Sequence, residues 1–195
     1  MDKRIRELLA ELEVSGQAND AREHERRKLM LNLHPQTAHL LGMLVRIGRR
    51  TQILEIGTSN GYSTIWLAWA TQQFGGRVTS IDRDADKHRL ADSNLRRAGL
   101  REVVDLRQGE ALAILPTLAG PFDLVFFDAD RLTAADQLGI LLPRLTHDAL
   151  VLADNALSHP DEIRHYLEAV QARPEFEHLI VPVGKGLSIA YKNRR

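Results

Sequence analysis

Cysteine is absent from the 195 residues. That excludes disulfides and thiolate metal sites and makes a cytosolic location the simplest expectation. Net charge is missing as well, because 26 Lys and Arg balance 26 Asp and Glu. A neutral chain exerts no long-range pull on phosphate backbones or anionic lipid, so neither nucleic acid nor a membrane is expected as a partner. The basic clusters Arg26-Arg27-Lys28 and Asn193-Arg194-Arg195 read as a solvated helix face and a frayed end. Long hydrophobic runs are lacking too. The most apolar helical stretch, Ile65 to Ala70, is far too short to span a bilayer. Met1 to Ala10 alternates charge with Leu and Ile and has no apolar centre of the signal-peptide kind. Repeats, low-complexity tracts and Pro/Gly-rich linkers are also missing, and the length suits one domain with a sizeable core.

What is present falls into two textures. Residues 2–14 carry Ile5, Leu8, Leu9 and Leu12 at helical spacing, with Ser15-Gly16 as the expected stop. A second, highly charged helix is expected over 20–30, and Pro35 suits the first turn of a helix to about Ile47. The polarity of the first two helices suggests a mobile lid over a pocket, so residues 1–34 read as lid and 35–195 as core. From Thr51 onward, apolar runs alternate with helical patterns. The runs are Gln52–Ile56, Arg77–Ile81, Val103–Arg107, Phe122–Phe127, Ala149–Ala153, His178–Pro182 and Leu187–Tyr191. Helical patterns fall near 62–73, 85–98, 110–118, 134–145 and 160–172. Such alternation predicts an α/β, Rossmann-like doubly wound sheet of seven strands with helices on both faces. Only Val183-Gly184-Lys185-Gly186 joins the last two runs, which is too short for a parallel crossover. The sheet should therefore close with an antiparallel hairpin.

The first strand leads into Glu55-Ile56-Gly57-Thr58-Ser59-Asn60-Gly61-Tyr62-Ser63, a strand, turn and helix start. Two glycines let the backbone turn sharply and approach a ligand, and the helix start offers free N–H groups. In open parallel sheets ligands sit beyond the carboxyl ends of the strands. The second strand ends at Asp82, whose carboxylate can take ribose hydroxyls. A dinucleotide predicts the same acid, so an NAD(P)-dependent reductase is the enzyme alternative. The loop nevertheless lacks the G-x-G-x-x-G fingerprint. It also puts Glu55 before the turn, which a pyrophosphate would oppose and an amino or sulfonium group would tolerate.

In one order the chain then carries Leu54-Glu55-Ile56-Gly57, Gly61-Tyr62-Ser63, Ile81-Asp82-Arg83-Asp84, Gly109-Glu110-Ala111, Phe122 through Asp128-Ala129-Asp130, and Ala153-Asp154-Asn155. Over about Leu31 to Tyr191 it resembles the metal-dependent small-molecule O-methyltransferases of the catechol and caffeoyl-coenzyme A type, a class I S-adenosylmethionine-dependent group. The resemblance implies methyl transfer from S-adenosylmethionine to a hydroxyl of a small molecule whose vicinal oxygens are chelated to a divalent metal, Mg²⁺ above all. It also implies a homodimer, since members are often dimers. Glu55, Gly57, Thr58 and Ser63 would lie at the methionine end of the donor, Asp82 and Arg83 at the ribose, and Gly109, Glu110 and Ala111 at the adenine. Asp128 would serve metal and donor amino group alike.

Asp128 ends the fourth strand, and Asp154 and Asn155 end the fifth. Neighbouring strand tips can share one ion, and two carboxylates plus an amide oxygen are hard ligands suited to Mg²⁺. The chain departs from the family at Arg131, where a lysine able to act as base commonly stands, and lacks the usual tyrosine in Leu132-Thr133-Ala134-Ala135. Guanidinium stays protonated, so Arg131 can stabilise an oxyanion or clamp a carboxylate without serving as base; a surface arginine is the plain alternative. The lost lysine also leaves open a protein that binds the donor without turnover. Nucleic-acid base methylation is disfavoured because Asp128-Ala129-Asp130 stands where a D/N-P-P-aromatic run would be expected. His34 and His159 fall at the pocket mouth by resemblance and read as loop histidines, while Trp66 and Trp69 read as core packing.

Overall fold

A computed structural model describes residues 1–193; Arg194 and Arg195, part of the basic end noted above, lie outside the described residues. The chain runs α1 (Lys3–Asp20), α2 (Pro35–Ile47), β1 (Gln52–Ile56), α3 (Tyr62–Gln72), β2 (Arg77–Asp82), α4 (Ala85–Ala98) and β3 (Val104–Gln108). It continues with α5 (Ala111–Ile114), β4 (Phe122–Phe127), α6 (Ala134–Leu141), β5 (Leu145–Ala153), α7 (Pro160–Gln171), β6 (Phe176–Val181) and β7 (Leu187–Lys192). The strands form one sheet in the order β3-β2-β1-β4-β5-β7-β6. β7 runs antiparallel to both β5 and β6, and the other pairings are parallel, as the short 183–186 connection requires. No helix among the described residues is long and apolar enough to cross a membrane.

Both faces of the sheet are covered, which explains why its central strands read as unbroken apolar runs. Ile53, Val78, Leu124, Phe126, Leu150 and Leu152 face a core built with α1, α2, α3 and α4. Their strand neighbours Leu54, Ile56, Ile81, Val125, Phe127 and Val151 face the opposite core, completed by α6 and α7. Trp66 and Trp69 meet edge to face at 5.8 Å on α3, Arg46 of α2 lies over Trp69, and both rings serve packing as expected.

Two N-terminal expectations are corrected. The first helix does not stop at Ser15-Gly16 but runs to Asp20. Gly16 is there for close approach: a Cβ on it would lie 2.4 Å from the Asn32 amide, which donates to Leu12 O. The charged stretch 20–30 forms no α-helix, only a short 3₁₀ turn over Arg26–Lys28. Its acids bond to the backbone instead. Asp20 accepts from the amides of Met30 and Leu31, and Glu23 from those of His24 and Glu25. Such local side-chain acceptors compete with helix formation. Further, α1 buries Ile5, Leu8, Leu9 and Leu12 in the first core, and Arg4 donates to Ala98 O at the end of α4. α1 is therefore packed as a core helix.

Candidate active site at the strand tips

Backbone pairing continues past the ends of four strands. Gly109 N–H donates to Asp82 O, Gly57 N–H to Ile81 O, Asp128 N–H to Ile56 O and Asp154 N–H to Phe127 O. The residues expected to bind a ligand are thereby set side by side along one edge, with β1 at the point where strand order reverses. Gly57 is required here. Its φ is +110°, and a Cβ would stand 2.4 Å from the carbonyl oxygen of Asp128.

Glu55 is fully buried and takes three hydroxyls: Ser63 Oγ at 2.6 Å, Thr64 Oγ1 at 2.5 Å and Ser80 Oγ at 2.6 Å. Thr58 Oγ1 joins the same group through Ser80, at 2.6 Å. Glu55 therefore ties β1, β2 and the start of α3 into one unit and orients Ser63, while Thr58 turns inward to support it. Burial pushes the Glu55 carboxyl up to about 7, against the pull of its three hydroxyl donors. Asp82 accepts from the amides of Ser59 at 2.7 Å and Asp84 at 2.9 Å. Each carboxylate oxygen keeps a lone pair for a hydroxyl, and the two amides fix its orientation. Arg83 and Glu110 face each other at 3.7 Å, both exposed, beside Gly109 and Ala111. In water such a pair contributes little to stability.

A strap missed in the sequence crosses the donor loop. Ser59 Oγ donates to Met30 O at 2.7 Å, and half-buried Lys87 reaches Leu29 O and, at 3.1 Å, Ser59 Oγ. Asp20 holds the far side of the strap through Met30 and Leu31. The only sequence cue was the break in helical patterning before Pro35.

Asp128 and Asp154 follow the paired residues Phe127 and Ala153 on adjacent strands. Burial first, and then the Asp154 charge, raises the Asp128 carboxyl well above the usual range; burial also raises Asp154. Oδ1 of Asp154 is buried and finds no hydrogen-bond donor among the described residues. Beside it, Asn155 adopts φ +68°, a left-handed conformation that Asn tolerates better than most side chains. Its Oδ1 accepts from Arg131 Nη1 at 3.3 Å, and its Nδ2 donates to Ser158. A half-buried acid beside a buried one with an orphaned oxygen, together with an amide oxygen, forms a hard donor set that fits a divalent cation such as Mg²⁺. The amide oxygen retains a second lone pair despite the arginine.

Arg131 is not a surface arginine. Its side chain is 14% exposed, with Nε 2.8 Å and Nη2 2.6 Å from Glu162 Oε2 of α7. Glu162 went unnoticed in the sequence because only the turn of α7 toward the strand tips brings the two together. Of the two histidines, His34 begins α2 and accepts the Gln36 amide on Nδ1, while His159 pairs with Ser158 at the start of α7.

The description O-methyltransferase belongs to the family model that matches residues 7–192. The chain belongs to the O-methyltransferase family. It is 36% identical over 131 residues to a catechol O-methyltransferase of Niastella koreensis, covering 65% of this chain and 59% of that protein. To a catechol O-methyltransferase of Mycobacterium tuberculosis it is 36% identical over 141 residues, covering 72% and 62%. The matches thus span about three fifths of those two relatives' lengths. Among solved structures, an O-methyltransferase of Bacillus cereus in complex with SAH superposes with a TM-score of 0.82 at 28% identity, over 99% of this chain and 92% of that one. TomG of Streptomyces achromogenes, an O-methyltransferase in complex with SAM, gives 0.80 at 28% identity over 99% and 91%. Family membership speaks against the nicotinamide reductase, and the sheet with its antiparallel hairpin is the architecture expected from the alternating apolar runs and the short 183–186 connection.

Proposed function

We propose that this protein transfers a methyl group from S-adenosylmethionine to a hydroxyl of a small molecule, with a divalent cation held by Asp128, Asp154 and Asn155. The observation that carries the reading is the orphaned oxygen of buried Asp154 beside a second, half-buried acid whose carboxyl is raised, one strand away from a glycine-turned loop. Asp82 would hold the ribose, with its orientation fixed by two amides. Gly57 and Ser63 would face the methionine portion, with Glu55 positioning Ser63 from behind. Gly109, Glu110 and Ala111 would border the adenine, flanked by Arg83. Met30 and its neighbours would close over the donor, excluding water in the manner of a lid. When bound, a divalent cation supplies the charge that acidifies a chelated hydroxyl. Arg131 stays protonated and steadies developing negative charge on the acceptor oxygen; it takes no proton.

Support for the donor comes from the family and from the SAM- and SAH-bound relatives. Support for the acceptor class comes from the relatives named catechol O-methyltransferase. A homodimer is part of the same proposal. α2 leaves Met43 and Ile47 exposed one turn apart, a small apolar face of the kind a second copy would cover. Cytosolic residence completes it, in line with a chain free of cysteine. Calorimetry tests the donor assignment directly: saturable binding of S-adenosylmethionine and no response to NAD is expected. The reverse pattern overturns it.

A further inference from the structure

The acceptor side of the site carries a cationic side chain without an ion-pair partner among the described residues. Arg131 is ion-paired with Glu162 through Nε and Nη2, and its Nη1 points to Asn155. Asp128 and Asp154 would be balanced by the divalent ion of the proposed function, on which this inference rests. Lys185 remains. It is exposed, and its ammonium makes no hydrogen bond or ion pair among the described residues.

Its backbone, by contrast, is tightly fixed. Lys185 O accepts the amides of Leu157 at 3.0 Å and Ser158 at 3.1 Å, and Gly186 O accepts that of Ala156 at 2.9 Å. The β6–β7 turn is therefore bonded to the segment directly after Asp154 and Asn155. Gly186 permits this contact, since a Cβ there, at φ +89°, would lie 2.5 Å from Leu157 Cγ. On the other side Gly184 abuts α2, where a Cβ would meet Thr37 Oγ1 at 2.3 Å and His34 Cβ at 2.8 Å. The turn is wedged between α2 and the strand-tip loop, and its lysine is carried at the rim. The positive charge of Lys185 is felt at both Asp128 and Asp154, where it opposes the upward push of burial. Leu157, in the segment that clasps the turn, and Leu132, next to Arg131, are 54% and 65% exposed. They offer apolar surface to a ring.

We infer that Lys185 selects the acceptor: the substrate is a hydroxylated aromatic acid whose carboxylate pairs with the Lys185 ammonium while its ring rests on the exposed leucines. A long, flexible point charge is suited to a group projecting from the ring, and a rim lysine without a partner keeps its charge available.

The test is equilibrium binding of 3,4-dihydroxybenzoate and of its neutral amide to the protein loaded with S-adenosylhomocysteine and Mg²⁺, for wild type, Lys185→Gln and Lys185→Glu. Wild type should bind the acid about tenfold more tightly than the amide, the effect of one charge-assisted contact at a partly exposed site. Lys185→Gln should bind the acid as weakly as it binds the amide, and Lys185→Glu should prefer the amide. Lys185→Arg should restore much of the preference. Equal affinities in wild type, a preference that survives in Lys185→Gln, or binding of neither compound overturns the inference. Failure of the underlying reading looks different, because S-adenosylhomocysteine itself would then not bind.

Discussion

Glu55 is a buried acid that the fold tolerates for what it holds in place. Its carboxyl is raised from an ordinary 4.5 to about 7 by burial. A folded-state value above the unfolded one means that the folded protein binds the extra proton. The stability this confers is complete below about 4.5 and is lost as pH rises through about 7. A shift of that size corresponds to ~3 kcal/mol. Glu55→Gln should therefore flatten the pH dependence of Tm between those limits, and thermal melts across that range check it. An unchanged slope would mean that Glu55 does not titrate there. Arg131 yields a second expectation at this scale. Arg131→Ala should lose ~2–4 kcal/mol of transition-state stabilisation, read as kcat/KM, and Arg131→Lys should retain most of the rate. Full activity in Arg131→Ala would return it to a purely structural role with Glu162.

Among the elements, the strands were legible in the sequence because each is an apolar run bounded by polar turns, and because both sheet faces are buried. The tips were legible for the same reason: Asp82, Asp128 and Asp154 each stand where an apolar run stops. The N-terminal region was not. Gly16 looks like a helix stop unless one knows that Asn32 packs over it, and a run of charges looks helical unless its acids are seen to cap their own backbone. The Asn32 and Asp20 contacts reach across ten or more residues, and those of Glu23 are local but look no different from helix in a one-dimensional pattern. Lys185 escaped notice in the same way, since only the antiparallel return of β7 carries the turn to the strand tips. The strap at Leu29 to Leu31 has a measurable consequence. Lys87→Ala with Ser59→Ala should speed dissociation of S-adenosylmethionine several-fold, about 1 kcal/mol for the lost hydrogen bonds, and shift Tm little. Stopped-flow displacement provides the measurement. Leu9→Ala in α1 should behave oppositely, costing ~2–5 kcal/mol of stability as a buried core residue, which a chemical denaturation curve reads. A strap variant with unaltered dissociation would remove the lid.

Across the whole molecule, a sheet whose strand order reverses at β1 brings together a loop turned by Gly57 and two acids on the adjoining strands. Two neighbouring carboxyls, half-buried Asp128 and buried Asp154, both raised above the usual range, are costly to ionise without a counter-ion, and a cation at the strand tips would explain them. The most direct measurement is paired calorimetry of Mg²⁺ and of S-adenosylmethionine on wild type and Asp154→Ala. The account predicts that wild type binds both and that Asp154→Ala keeps the methyl donor. Its Mg²⁺ affinity should fall by more than about 100-fold, since even outer-shell changes cost 10–100-fold. Wild type that binds no divalent cation, or Asp154→Ala that binds Mg²⁺ as wild type does, would contradict it.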